Sequence, residues 1–190
     1  QFAVIAVFTA METYFFNEAT MAGQMLFACF WALLILRNLQ TAYMVEKIAS
    51  AIEKEINKLI EEVHPHYMSV PGIGPLSAAV IYSEYGDISN FTNPGQMLAF
   101  AGIEPGINES GTESHGGKMV KRGSSQLRYT LINCCLPLIR FDMTFATYYA
   151  KKRGEGKPHR VAITHVAKKL IRVIYALERQ DIDFNAQKLR

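Results

Sequence analysis

Cysteine is scarce: Cys29, Cys134 and Cys135 are the three in 190 residues, and no CxxC spacing occurs. That leaves no paired disulfide framework and no zinc knuckle, and it points to reduced thiols in a cytosolic setting. Charged residues are thin, at 19% against 49% apolar, so wholesale disorder is excluded and a sizeable core can be buried. No signal peptide or basic leader opens the chain, and no Lys or Arg precedes Arg37. The first residue is Gln1 rather than methionine, which leads to the expectation of a piece of a longer protein. Long apolar runs are missing too. The segment Met25–Leu36 (MLFACFWALLIL) has twelve consecutive apolar residues, short of the ~18 that a membrane span requires. The run is therefore read as an apolar surface packing against an absent domain or a second copy of the chain, with no membrane partner.

What is present is unevenly distributed. Residues 1–117 hold 4 Lys/Arg against 12 Asp/Glu, a net of −8, and residues 118–190 hold 16 against 5, a net of +11. A basic half of that density points to a polyanionic partner, with nucleic acid the commonest. The histidines of His64-Pro65-His66 flank a proline at an expected helix end, and no metal is assigned to them.

Val45, Ala49, Ile52, Ile56, Leu59 and Val63 follow a 4-3-4-3-4 spacing with Glu and Lys on the outer positions. This heptad seam predicts a long coiled-coil-like helix, ended by Pro65. The same register runs back through Ile35, Trp31 and Ala28 to Met21. Residues 1–64 are thus an apolar segment plus a coiled-coil-like helix, 65–180 a separate compact helical domain, and 181–190 a tail. Strand signals are weak throughout, so the fold class is mostly α.

Within 65–180, Val70-Pro71-Gly72-Ile73-Gly74-Pro75 precedes a small-apolar helix. This is a helix-hairpin-helix-like element in which Gly72 and Gly74 would let backbone amides approach a phosphate. A tight turn between packed helices reads equally well from these residues. Residues 106–125 (GINESGTESHGGKMVKRGSS) form a long loop ending in Lys118, Lys121, Arg122 and Gly123. Leu127–Tyr149 reads as a helix carrying Arg128 and Arg140, kinked or broken near Pro137. A basic turn with Lys151 and Lys152 follows, then an amphipathic helix with Lys168 and Lys169. These cations, Arg140 apart, with Gly72, Gly74 and Gly123, are the candidate nucleic-acid-binding residues.

The order VPGIGPLSAAVIYSEYGDISNF, LAFAGIEPGINESG, KRGSSQLRYTL and YYAKKRGEGKPHRVAITHVAKKLIRVIYAL resembles the C-terminal transposase domain of the Piv/MooV group. That group comprises the insertion-sequence one-ten family of transposases and the pilin-gene invertases. The resemblance covers about residues 65–178. It implies a DNA transposase or site-specific recombinase with a catalytic serine that attacks DNA phosphodiesters. The family's serine, in an xSG motif after GLxP, carries over to Ser110 in Glu109-Ser110-Gly111. Its KRG…LR motif carries over to Lys121-Arg122-Gly123 and Leu127-Arg128.

The resemblance further implies an N-terminal RuvC-like domain whose four acidic residues bind magnesium. That domain is absent from these 190 residues, so no cofactor is expected here and the fragment alone is expected to be inactive. Implied partners are DNA, a structured guide RNA and further copies of the chain, in a prokaryotic, nucleoid-associated cytoplasmic setting. The alternative is a non-catalytic helix-hairpin-helix module for nucleic-acid binding and oligomerisation.

Overall fold

Glycine at position 23 sets the first architectural feature. Its φ of +72° turns the chain between α1 (Phe2–Met21) and α2 (Met25–Val63), a conformation that glycine adopts without Cβ strain. The computed structural model describes residues 2–110, 113–119 and 122–186, and its contacts separate Gln1–Glu55 from Ile56–Arg190. The division falls ahead of the 64/65 boundary read from sequence because Ile60 of α2 is buried in the core of the second unit.

In the first unit α1 lies antiparallel to α2. Phe15 stacks on Trp31 with ring centroids 5.0 Å apart, and Asn38 Nδ2 donates to Glu12 Oε2 at 2.7 Å. Small residues let the helices approach, since Ala19 and Ala28 are buried. The break at 22–24 takes Met21 out of the helix that bears the heptad seam, so the register does not run back that far. Arg37 interrupts the twelve-residue apolar run without ending the helix. As a result α2 contains an 18-residue window of mean hydropathy 1.4 with at most two charged residues. It is long and apolar enough to cross a membrane by length and composition. The seam residues Ile52, Leu59 and Val63 are exposed on the single chain.

The second unit is built around α7 (His159–Gln180). Ala162, Ile163, Val166, Ala167, Leu170, Ile171, Val173, Ile174 and Leu177 are buried along one face at three- and four-residue spacing. Against α7 pack α4 (Pro94–Ala101), α5 (Ser125–Phe141) and α6 (Met143–Gly154). α3 (Pro75–Tyr85) packs on α5. Each start has a local cause. Asn93 Oδ1 accepts from Gln96 N–H at 3.1 Å, and Ser124 Oγ accepts from Leu127 N–H at 3.1 Å. Pro75 and Pro94 occupy first-turn positions, where a missing N–H costs nothing.

Three expectations change. The loop 106–125 contains an antiparallel ribbon of β1 (Pro105–Ser110) and β2 (Glu113–Met119), with Ser110 opposite Glu113 and Asn108 opposite His115. Its Gly- and Ser-rich composition hid the strands. The helix 127–149 is broken at Asp142 rather than near Pro137, which sits inside α5. Asp142 ends α5 and caps α6 by accepting from Phe145 N–H at 2.9 Å. Finally, the described part of the tail is bound back: Ile182 and Phe184 pack on the core. His66, in the 3-10 turn His66–Ser69, holds Asp181 at 2.8 Å and Asp183 at 3.0 Å.

Candidate nucleic-acid interface

The ribbon that carries Ser110 is anchored by glycines at its base. Gly102 caps α4 in the left-handed conformation, with φ +64°. A Cβ there would lie 2.3 Å from the Arg122 carbonyl oxygen. Gly123 has φ +111°, and a Cβ on it would lie 2.2 Å from the Phe100 carbonyl oxygen. Ser124 N–H donates to that same oxygen at 3.0 Å. Both strands therefore leave from one backbone crossing that admits no side chain. Arg128 reaches the crossing from α5 and donates Nη1–H to the Ala101 carbonyl at 3.1 Å. Arg122 is exposed beside it.

The sequence-derived cations fall on two further elements. Lys151 and Lys152 lie in the last turn of α6, where positive charge is favoured by the helix dipole. Lys151 is exposed, whereas Lys152 Nζ is held 2.9 Å from Glu155 Oε1. Lys169 Nζ sits 4.9 Å from the Phe145 ring centroid and 5.2 Å from that of Tyr148. Lys152 approaches Tyr148 from 5.6 Å.

Burial lowers the pKa of Lys168, and the neighbouring Arg172 lowers it further while Glu104 opposes. That influence ties the ribbon base, through Glu104, to the basic face of α7. Burial likewise depresses the His165 pKa, and Lys168, Lys152 and Lys157 add to the effect. Three lysines from the α6 end, the turn after it and α7 thus act on one imidazole. Burial also lowers the pKa of Lys169. Asp142 opposes the effect on Lys169, so the cationic surroundings act on His165 and Lys168, a cluster of charge suited to a phosphate backbone.

Other candidates are placed differently. The close approach at Gly72, φ +96°, is to α5: a Cβ would lie 2.9 Å from both the Cys134 carbonyl oxygen and Pro137 Cγ. Gly74 is exposed, with open space at its Cβ position, and caps the start of α3. Lys118 falls in β2, and Lys121 lies outside the described residues. Sequence reasoning did not single out Tyr148 between two lysines, nor the pair of Tyr149 hydroxyl and His159 Nδ1, 2.6 Å apart. The Tyr-Tyr doublet one turn before the lysines was the available signal. Among the described residues no group of three or more His, Cys, Asp or Glu could hold a metal ion.

Comparison with known proteins decides the family of this unit. Residues 65–150 match the family described as transposase IS116/IS110/IS902. This is an IS110-type transposase C-terminal region. Residues 1–59 match a different family, described as a protein of unknown function (DUF3272).

Among relatives, the insertion element IS110 uncharacterized 43.6 kDa protein of Streptomyces coelicolor is 32% identical over 131 residues, covering 68% of this chain and 32% of that protein. The insertion element IS900 uncharacterized 42 kDa protein of Mycobacterium paratuberculosis is 32% identical over 143 residues, covering 70% and 36%. The transposase for insertion sequence element IS1111A of Coxiella burnetii is 38% identical over 72 residues, covering 38% and 20%. The chain spans about a third of the length of the first curated relatives it matches. The matched residues 65–150 thus contain the ribbon and its glycine base, and the lysines of α6 and α7 follow directly after them.

Proposed function

We propose that the IS110-type region is the DNA-engaging part of a transposase, with Ser110 as its nucleophile. The carrying observation is the family match over 65–150, which includes the Ser110 ribbon and its anchored base. In the proposed step the Ser110 hydroxyl oxygen bonds to a backbone phosphorus and one phosphorus–deoxyribose oxygen bond breaks. The hydroxyl proton passes, through a base, to the departing deoxyribose oxygen. One phosphodiester is exchanged for another, so rejoining needs no external energy source. A serine hydroxyl requires activation. Arg122, Lys168 and their neighbours would neutralise phosphate charge around it.

The chain matches about a third of its relatives, so the remaining activating groups would come from an acidic domain outside it. DNA and a structured guide RNA are the proposed partners, with the heptad seam of α2 joining copies of the chain. The test is a composite one. The relative's missing two-thirds, supplied with this region, should form a covalent protein–DNA adduct whose peptide contains Ser110. Salt-sensitive DNA binding with no adduct from an assembly competent for cleavage would favour the non-catalytic binding module instead.

A further inference from the structure

We propose that residues 2–44 enter a lipid bilayer as an antiparallel helical hairpin, tethering the basic unit to a membrane surface. This revises the expectation of no membrane partner, and it stands independently of the role given to Ser110. The argument starts from dimensions. α1 has 20 residues, and a helix of that length spans ~30 Å, the thickness of a bilayer's hydrocarbon core. Among the described residues α2 is the one helix long and apolar enough to cross by length and composition, and α1 enters with it as its packed partner.

The distribution of apolar side chains then separates lipid from a protein partner. Met25, Leu26, Phe27, Phe30, Leu33 and Leu36 are all exposed. At 3.6 residues per turn they cover about 200° of the α2 circumference, everything except the side facing α1. Val4, Val7, Phe8, Met11 and Tyr14 are likewise exposed on α1. Docking of a second copy through a heptad seam covers a narrow stripe and would leave most of this surface in water. A solvent that is itself apolar covers all of it.

Several polar groups in the hairpin are satisfied within it, whereas Arg37 is exposed, reaches only Asn38 Oδ1 at 3.4 Å, and has to extend its long side chain toward the headgroups. Glu12 is buried against α2 and accepts from Asn38. The hydroxyls of Thr9, Thr13 and Thr20 donate to the carbonyls of Ile5, Thr9 and Phe16, one helical turn back. Asn17 and Glu18 lie about one turn from the 22–24 bend, within reach of headgroups.

Charge fixes the orientation. The bend carries no Lys or Arg, while Lys47, Lys54 and Lys58 follow the span along α2. A bend without Lys or Arg crosses a membrane readily, and the flank that carries the lysines stays on the cytoplasmic side, acidic residues counting little. The basic unit is then on the side where nucleic acid is found.

Trp31 is the sole tryptophan and lies within the proposed span, which makes it the reporter. The full chain is mixed with phosphatidylcholine vesicles at about 1 M salt, where a Debye length of ~3 Å removes attraction through the basic half. The chain should float with the vesicles, and lipids brominated on the acyl chain should quench Trp31. Phe30→Lys with Leu33→Glu should reduce flotation by about tenfold or more while leaving salt-sensitive DNA binding intact, which reports a folded basic unit. A wild-type chain that stays in solution as an oligomer with Trp31 unquenched would overturn the proposal in favour of a second copy. Undiminished flotation of the double variant would overturn it as well.

Discussion

Gly123 and Phe100 meet backbone to backbone: a Cβ on Gly123 would lie 2.2 Å from the Phe100 carbonyl oxygen. The neighbouring Ser124 amide donates to that oxygen at 3.0 Å. With Gly102 equally close to the Arg122 carbonyl, the base of the Ser110 ribbon is held by close main-chain contact, joined by the Arg128 guanidinium on the Ala101 carbonyl. The direction in which the ribbon leaves the helical unit therefore depends on two absent side chains.

Replacing Gly123 by alanine should accordingly be costly. The left-handed φ of +111° and the overlap with a carbonyl add up to about 2–4 kcal/mol of lost stability. Urea unfolding measures the loss, and hydrogen exchange at Ser124 should show where it falls. Gly154→Ala is the matched control, because its Cβ position is open and alanine is favoured over glycine in a helix. Equal stability of the two variants would mean that the crossing relaxes freely.

The general plan of the second unit was legible because helix signals are local. The apolar three- and four-residue spacing along α7 and the turn chemistry of Asn93-Pro94 are written in adjacent residues. What escaped depended on distant partners. The ribbon 105–119 has few β-branched residues, and its ends are brought together by Gly102 and Gly123, which lie 21 positions apart. Pro137 looked like the helix breaker, yet it sits inside α5 with Gly72 close against its ring and the Cys134 carbonyl, and Asp142 ends the helix by capping the next one. For the candidate site, the KRG…LR pattern drew attention to the segment beside the ribbon base without revealing that Arg128 donates a hydrogen bond to the Ala101 carbonyl. The extent of the apolar surface was underestimated because the longest run was counted, whereas a helix displays the composition of a whole window.

The clasp between His66 and the tail should open as pH rises. Hydrogen bonds to Asp183 and Asp181 raise the His66 pKa above its ordinary 6.5, opposed by burial and helped by the nearby Glu178 charge. A raised folded value means that the imidazolium stabilises the closed tail. That contribution is full below the ordinary value and is lost as pH climbs through the elevated one. Exchange of the Phe184 amide, which donates to Ser69 Oγ at 2.8 Å, should therefore accelerate beyond its normal base-catalysed trend as pH rises above the ordinary 6.5 of His66 and through its elevated value. Asp181→Asn with Asp183→Asn should abolish that excess. An excess unchanged in the double variant would assign the opening to another group.

DNA binding should depend on salt through the basic face and not through the α2 lysines. Each lost phosphate contact reduces the log–log slope by ~0.9 on duplex DNA. Lys151→Ala with Arg160→Ala, both exposed residues, should flatten the slope. Lys47→Ala with Lys54→Ala should leave it unchanged. Lys152→Ala should have a smaller effect than Lys151→Ala, since Glu155 already holds the Lys152 ammonium. Identical slopes for both double variants would remove the α6–α7 edge as the binding surface.

The most demanding expectation concerns Ser110, which the register sets opposite Glu113 at the end of β1. Ser110→Ala removes one oxygen and leaves the backbone pairing intact, so stability should change by no more than ~0.5 kcal/mol. Affinity for DNA should persist, because cations contacting phosphate dominate it. Strand exchange by the composite with its acidic domain should fall to background, since a nucleophile is replaced only by another group held within about an ångström of the same place. Ser114→Ala, opposite Glu109 on the other strand, and Ser124→Ala, a helix cap, are the controls. Ser114→Ala should recombine normally. Ser124→Ala should lose about 1 kcal/mol of stability with its cap and retain chemistry. Mass spectrometry of the trapped peptide–DNA adduct supplies the independent readout. An adduct on Ser114 or Tyr148, or recombination by Ser110→Ala at the wild-type rate, would show that the nucleophile has been assigned to the wrong residue.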